Sequence, residues 1–427
     1  MLNAKYACGS AAHAVSRRGF LAAAGATAAL GPAGFAAPDS TAELARNQKR
    51  VLVVYLAGGV SQLETWDPKP GTDTGGPFRA IPTSVPGTHI CELLPHSAAR
   101  IHKLAVVRSL NSTTPDHAQG EKIMLTGRRP EAGIEYPHLG AVAAKLLGGD
   151  RAEMPGHIHI LPGGGGGGRA DAAFLGPQFA SVPVPDGRPP TNLLRPAGLT
   201  ADADAAREAL RQSLTDRFSR SRRSAASEAY AASFAQAERV FNRADVFDVE
   251  RESLKTADRY GRHDFGRHLL LARRLLEAGV SYVKVSHSNY DTHHENFDFH
   301  IEQLGEFDRP FAALLDDLAD RGMLESTLVV VMSEMGRTPR INDRFGRDHW
   351  SNGWSVVMGG AGIKGGAVVG RTNANGTTIA DREVGPWHLF HTYLRAVGLD
   401  PERNFHPNQR PVPVADPRAS AISEILA

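Results

Sequence analysis

Cysteine is nearly missing from this chain, with two residues in 427, Cys8 and Cys91. Cys8 falls in an N-terminal stretch that reads as removable, so Cys91 stands alone and an intrachain disulfide is excluded even in an oxidising compartment. Net charge is missing too. The formal +2 rests on residues 1–37, which hold Lys5, Arg17 and Arg18 and no acid, so the remainder is within about one charge of neutral. A near-neutral body excludes the broad basic surface that nucleic acid or an anionic membrane would recruit. There is also no run of roughly 20 strongly apolar residues, so no integral membrane segment is expected in the mature chain. Glycine and proline, 44 and 27 residues, make up about one residue in six and fall below the share of low-complexity disorder. What is present is a 45.7 kDa chain, 41% apolar and 22% charged, with ample length for a large core. Its stability must come from packing.

Residues 1–37 read as an export signal. Ser16-Arg17-Arg18-Gly19-Phe20-Leu21 sets an arginine pair before a run of Ala, Gly and Leu that ends in small residues near Ala36 and Ala37, resembling a twin-arginine signal peptide. The expectation is export by the twin-arginine translocase to a periplasmic or extracellular location. That route carries folded proteins and suits a cofactor loaded in the cytoplasm.

Beyond it, Arg50–Leu56 is a continuous β-branched run closed by Ala57-Gly58-Gly59, the pattern of a central strand buried on both faces. Similar runs recur at Leu104–Leu110, Ile158–Leu161, Val280–Val285, Leu328–Met332 and Trp354–Met358. Helical periodicity over about 117–126, 138–147, 264–278, 297–320 and 384–397 separates several of them, predicting an α/β fold with a mainly parallel sheet sandwiched between helices. Two segments interrupt the alternation. Gly163–Gly168 is read as a flexible surface loop, since a dinucleotide fingerprint requires a helix and an acid at fixed offsets. Residues 200–250 read as a helical insertion over the sheet within a single domain from residue 48 to 427, and the cluster Arg217 to Arg223 as its solvated face.

Chemistry concentrates at three predicted strand ends. Ser286-His287-Ser288-Asn289-Tyr290-Asp291-Thr292-His293-His294 follows the strand ending at Val285, and ligands at the carboxyl end of a parallel strand occupy the rim where α/β proteins bind. Asp291 and His293, two apart, can face one side of an extended segment and share a divalent metal. Ser333-Glu334-Met335-Gly336-Arg337 caps the Leu328–Met332 strand, and Gly346-Arg347-Asp348-His349-Trp350 precedes the Trp354 strand. The alternative is a polar helix start with histidines as capping or outer groups.

Leu56-Ala57-Gly58-Gly59-Val60-Ser61-Gln62, Trp66-Asp67-Pro68-Lys69-Pro70, His117 leading to Thr126-Gly127-Arg128-Arg129-Pro130, Leu270–Leu275, Asp291-Thr292-His293, Ser333–Thr338 and Gly346–Trp350 together resemble the DUF1501 family. That bacterial family commonly carries twin-arginine signals and is related to the sulfatase and alkaline phosphatase superfamily. The resemblance runs from about residue 48 to 400 and implies an alkaline-phosphatase-like fold. Carried over residue by residue, only half of the superfamily's site arrives. Its nucleophile stands nine residues before the Thr of Thr-Gly-Arg-x-Pro, which here is His117. Its first strand ends in metal-binding acids, here replaced by Ala57-Gly58-Gly59. Its late Ser-Asp-His-Gly element appears as Ser333-Glu334-Met335-Gly336. The Asp and two His of its other metal position are matched by Asp291, His293 and His349, with Asp348, Glu334 or His294 as substitutes.

The resemblance thus implies one divalent ion, Zn, Mn or Fe, with an open position for a water acidified toward neutrality. His117 then serves as general base or fourth ligand, and Glu334 as ligand or general acid/base. Arg337, Arg340 and Arg347 are candidates to clamp an anionic ester or glycan, against the alternative of surface arginines in salt bridges. Two functions are expected: a metal-dependent hydrolase of phosphate or sulfate esters, or a non-catalytic relative that binds an anionic ligand, glycan or protein. Ser61 lacks the second glycine of a nucleophile elbow and reads as a turn, as does Asp67. His157, His159, His388 and His391 read as structural or ordinary polar positions.

Overall fold

Seven consecutive residues of β1 (Arg50–Leu56) are buried, as a β-branched run between two cores demands. Leu52, Val54 and Leu56 pack into one core, and Val51, Val53 and Tyr55 into the other. Each such apolar side chain contributes about 1.5–3 kcal/mol by leaving water, which makes β1 the natural centre of a sheet. The computed structural model describes residues 48–148, 152–163, 171–188, 195–196, 198–221 and 225–427. The arginine-pair segment 1–37 lies outside them, as do residues 164–168 of the glycine run and Arg222 and Arg223 of the arginine cluster.

After β1 the main-sheet strands are β2 (Leu104–Asn111), β3 (His157–Leu161), β4 (Val182–Pro185), β5 (Tyr282–His287), β6 (Thr327–Met332), β7 (Asn352–Gly359) and β8 (Val368–Val369). They lie in the order β8-β2-β7-β6-β1-β5-β3-β4. All neighbours pair parallel except β7, which runs antiparallel to both β2 and β6. The longer helices among the described residues are α1 (His117–Thr126), α2 (Leu139–Leu147), α3 (Ala201–Ser221), α4 (Ala225–Asn242), α5 (Asp264–Glu277), α6 (Asn296–Asp320) and α7 (Pro386–Ala396), besides shorter helices and turns. α5 and α6 supply the core on one face, and α1, α2 and α7 supply the other. The fold is therefore the α/β sandwich with a mainly parallel sheet that the strand and helix periodicities predict. No helix among the described residues is long and apolar enough to cross a membrane.

Among the described strands of the main sheet, the reversal of β7 shapes the rim. Because β7 is antiparallel, its amino end lies at the rim formed by the carboxyl ends of β1, β2, β5 and β6, and Asn352 pairs with Asn111 there. The segment before β7, Gly346–Trp350, thus reaches the same rim as the segments that follow the parallel strands.

Candidate metal centre

Close backbone approach builds the rim. The Ala57 N–H donates to the His287 carbonyl at 2.7 Å, and the Tyr290 N–H to the Ala57 carbonyl at 3.2 Å, which ties the β1 turn to the loop after β5. Gly58 holds φ +116°, and a Cβ there would sit 2.5 Å from the Asp291 nitrogen, so only glycine lets Asp291 come this near. α1 starts at His117 because the Asp116 carboxylate accepts the Gln119 N–H at 2.9 Å as an N-cap. A short antiparallel ribbon sets His349 opposite Arg337 and Trp350 opposite Gly336.

Asp291 is the centre. Its Oδ1 lies 2.5 Å from Arg337 Nη2, 3.1 Å from His349 Nε2 and 3.3 Å from His293 Nε2, and its Oδ2 lies 3.3 Å from His117 Nε2. Each imidazole is fixed from behind. The Nδ1 of His117 is 2.7 Å from Glu334 Oε1, that of His293 is 2.8 Å from Asp348 Oδ1, and that of His349 is 2.8 Å from the Pro115 carbonyl. Carboxylates and carbonyls only accept, so each Nδ1–H donates outward, which leaves the Nε2 atom of each ring as the one that faces Asp291. His293 Nε2 and His349 Nε2 are 3.1 Å apart. Two lone pairs at that distance repel unless a proton or cation lies between them.

One donor atom from each of His117, Asp291 and His349 lies within 4.8 Å of the others. The sequence expectation paired Asp291 with His293 and His349. Here His117 joins the set, while His293 touches it through His349 and Asp291. Asp348 points its carboxylate at His293 Nδ1, behind the ligand side of that ring, and Glu334 stands behind His117 in the same way. Glu334 is buried, with Oε1 also accepting the Gly58 N–H at 2.8 Å and Oε2 the Ser333 hydroxyl at 2.9 Å. Its contact with the cluster runs through His117. His294 is exposed and stands apart from the cluster, beside Glu295.

Charges follow this geometry. Burial works to raise the Asp291 pKa, but the hydrogen bond and charge of Arg337 outweigh it and bring it down to about 2. Burial likewise opposes ionisation of Glu334, yet the His117 hydrogen bond holds it below the ordinary carboxylate range. That same bond raises His117. The Asp291 carboxylate is thus ionised at any physiological pH.

The arginines divide. Arg337 is buried and spends its guanidinium on the Gly58, Gly59 and Arg347 carbonyls and on Asp291, so it orients the carboxylate from within the protein. Arg347 corrects the expectation of a substrate clamp. It is fully buried, paired through two N–H groups with the equally buried Glu64 at 2.7 and 3.0 Å, and does not reach the rim. Arg340 is exposed. Ser61 is buried beside Thr65, and Asp67 binds Thr372, Lys69 and Arg108, so neither faces the centre. His391 donates its Nε2–H to the Asp416 carbonyl, and His157 lies buried against Phe179.

The sequence reading missed the Pro115 carbonyl, the Glu64 partner of Arg347, and a polar cavity beside His117. For the cavity a signal existed: Lys284 and Ser286 alternate with Val283 and Val285 along a central strand, and Ser288 follows its end at the same period.

The family model described as "Protein of unknown function (DUF1501)" matches residues 48–426. None of the curated proteins matches the chain. Among solved structures it is similar to a protein in the alkaline phosphatase superfamily from Vibrio parahaemolyticus, at 10% identity over 83% of this chain and 67% of that one, TM-score 0.37. It is also similar to the sulfatase PsFucS1 from Pseudoalteromonas sp., at 12% identity over 85% and 72%, TM-score 0.40. A third is the C-terminal periplasmic domain of EcEptC from Escherichia coli in complex with Zn, at 11% identity over 87% of each chain, TM-score 0.39.

Proposed function

The chain belongs to the DUF1501 family, and we propose that it is an exported, metal-dependent hydrolase of phosphate or sulfate esters. The observation that carries the reading is the convergence of three imidazole Nε2 atoms on Asp291, each with its Nδ1 tied to an outward acceptor. Separations of 3.1–3.3 Å between donor atoms suit a small first-row ion bound at about 2 Å. Nitrogen and carboxylate donors favour Zn, Mn or Fe. Such an ion, when bound, supplies Lewis-acid polarisation of the ester oxygen and acidifies water.

The chain's own residues hold and orient. His117, Asp291 and His349 bind, with His293 beside them. Arg337 keeps Asp291 ionised and aimed, while Glu334 and Asp348 fix the tautomers of His117 and His293. With His117 at the superfamily's nucleophile position, the attacking group is water. A second reading, a non-catalytic protein that binds an anionic ligand, is favoured by one feature: Gly58 and Gly59 close β1 without an acid for a second ion. Export rests on the Ser16–Leu21 sequence.

The test is elemental analysis of purified protein, followed by a screen of aryl phosphate and aryl sulfate esters with Zn, Mn and Ca. We expect one equivalent of metal, lost in His349→Ala, and turnover abolished in His117→Ala and Asp291→Asn. Metal binding without turnover on any ester supports the binding protein. A chain without stoichiometric metal overturns both the centre and the hydrolase.

A further inference from the structure

Beside the metal centre, and sharing His117 and Glu334 with it, a cavity of about 410 Å³ opens over the carboxyl ends of β1, β5 and β3. Its size is at the low end for a small-molecule site. The register of the sheet writes its floor. Tyr55 pairs with Ser286 across β1 and β5, and Lys284 pairs with His159 across β5 and β3. Further down the same face β1 carries Val51 and Val53, while β3 and β5 carry the pair His157 and Tyr282.

These polar groups are buried at a cost that packing does not require. Lys284 is 4% exposed, with its ammonium 2.7 Å from the Glu121 carboxylate and 4.0 Å from the centre of the Tyr55 ring. His159 Nε2 lies 2.8 Å from the Ser286 hydroxyl. Glu121 is on α1 one turn after His117, so one helix face serves both the centre and the cavity. An apolar residue at 284 would avoid the desolvation of a buried ammonium altogether.

Resting on the hydrolase reading above, we infer that this cavity is the subsite for the alcohol portion of the ester and that it takes a neutral, polyhydroxylated ring of monosaccharide size. Lys284 and Glu121 cancel each other's charge, so the cavity does not call for a second anion. An aryl group there would press an apolar ring on an ammonium, a carboxylate, a hydroxyl and an imidazole, each of which loses water without gaining a partner. A sugar hydroxyl both donates and accepts. It matches an ammonium beside a carboxylate and a serine beside an imidazole, while Tyr55 and Pro162 offer surface to the ring's C–H groups.

The experiment compares hexose 6-phosphate and hexose 6-sulfate with 4-nitrophenyl phosphate and sulfate on the metal-loaded protein. It reads the ratio of kcat/KM between sugar and aryl ester, and adds calorimetric binding of hexose 6-phosphate. Wild type should prefer the sugar ester. Ser286→Ala, which deletes one oxygen, and Glu121→Gln, at the cavity's solvent side, should each lower that preference by about tenfold. Aryl esters turned over as well as sugar esters, or a preference that neither variant changes, overturns the subsite and leaves the hydrolase standing. If no ester is turned over the hydrolase reading fails, and calorimetry decides the subsite. Hexose 6-phosphate that binds wild type and binds about tenfold more weakly to Ser286→Ala upholds it, whereas no binding, or equal binding, overturns it.

Discussion

Replacing Glu64 by Gln should unfold the loop that presents His349 before it disturbs anything else. Glu64 and Arg347 are both fully buried and joined by two parallel N–H to carboxylate bonds of 2.7 and 3.0 Å. The rest of the guanidinium is spent on the carbonyls of Thr74, Thr338 and Pro339. Glutamine keeps the shape but turns an amide N–H₂ toward a guanidinium N–H, which leaves the arginine charge buried without its counter-ion. Breaking one partner of such a pair costs about 3–5 kcal/mol, far above the cost of about 0–1 kcal/mol at a solvent-exposed pair. Removing both charges together, Glu64→Leu with Arg347→Met, should recover most of that loss, since no unpaired charge remains. The assay is denaturant unfolding, reading a lower midpoint at unchanged slope, with metal binding measured alongside. Because Arg347 anchors residues 338 and 339 and is followed by Asp348 and His349, the single variant should also bind metal more weakly. Burial pushes the Glu64 pKa up, but the Arg347 charge and hydrogen bonds pull it below the ordinary value, so this stabilisation is present above the unfolded carboxyl pKa and is lost as pH falls through the folded one. A Glu64→Gln cost under about 1 kcal/mol, or a double variant no more stable than the single, would refute the reasoning.

Three further outcomes follow from the same geometry. Asp348→Asn loosens His293 without removing a ligand, so metal affinity should fall about 10–100-fold by competition with a chelator, and unchanged affinity would place His293 outside the centre. Gly58→Ala pushes a Cβ to 2.5 Å from the Asp291 nitrogen at φ +116° and should abolish metal binding, whereas Gly71→Ala, with φ +75° and nothing within 4 Å, should only destabilise; equal metal affinity in the two variants counts against the close approach. Burial raises Asp416, but its hydrogen bonds to Arg418 and Arg129 bring it down to about 2, so its stabilisation is complete above the ordinary 3.8 and is lost as pH falls toward 2; Asp416→Asn should flatten the acid limb of a pH-stability curve, and a limb of unchanged slope contradicts this.

Local pattern alone determined a good deal of this protein. β1 spans Arg50–Leu56 and α1 spans His117–Thr126, as their periodicities predict, because a β-branched run between turn residues and an Asp-capped apolar spacing are short-range facts of the chain. That Asp291, Glu334 and His349 stand at strand ends was legible for the same reason. Which side chains meet there was not. His117 finds Glu334 across 217 positions and His349 finds Asp291 across 58, distances over which only the sheet order and the reversal of β7 decide contact. Arg347 shows the difference most sharply. Its neighbours in sequence, Asp348 and His349, face the rim, while it turns inward to a carboxylate 283 positions away. Composition and period can say that an arginine lies in a polar loop. Whether its charge faces water or a buried partner depends on where the rest of the chain has put the opposite charge, and that is settled only by the tertiary fold.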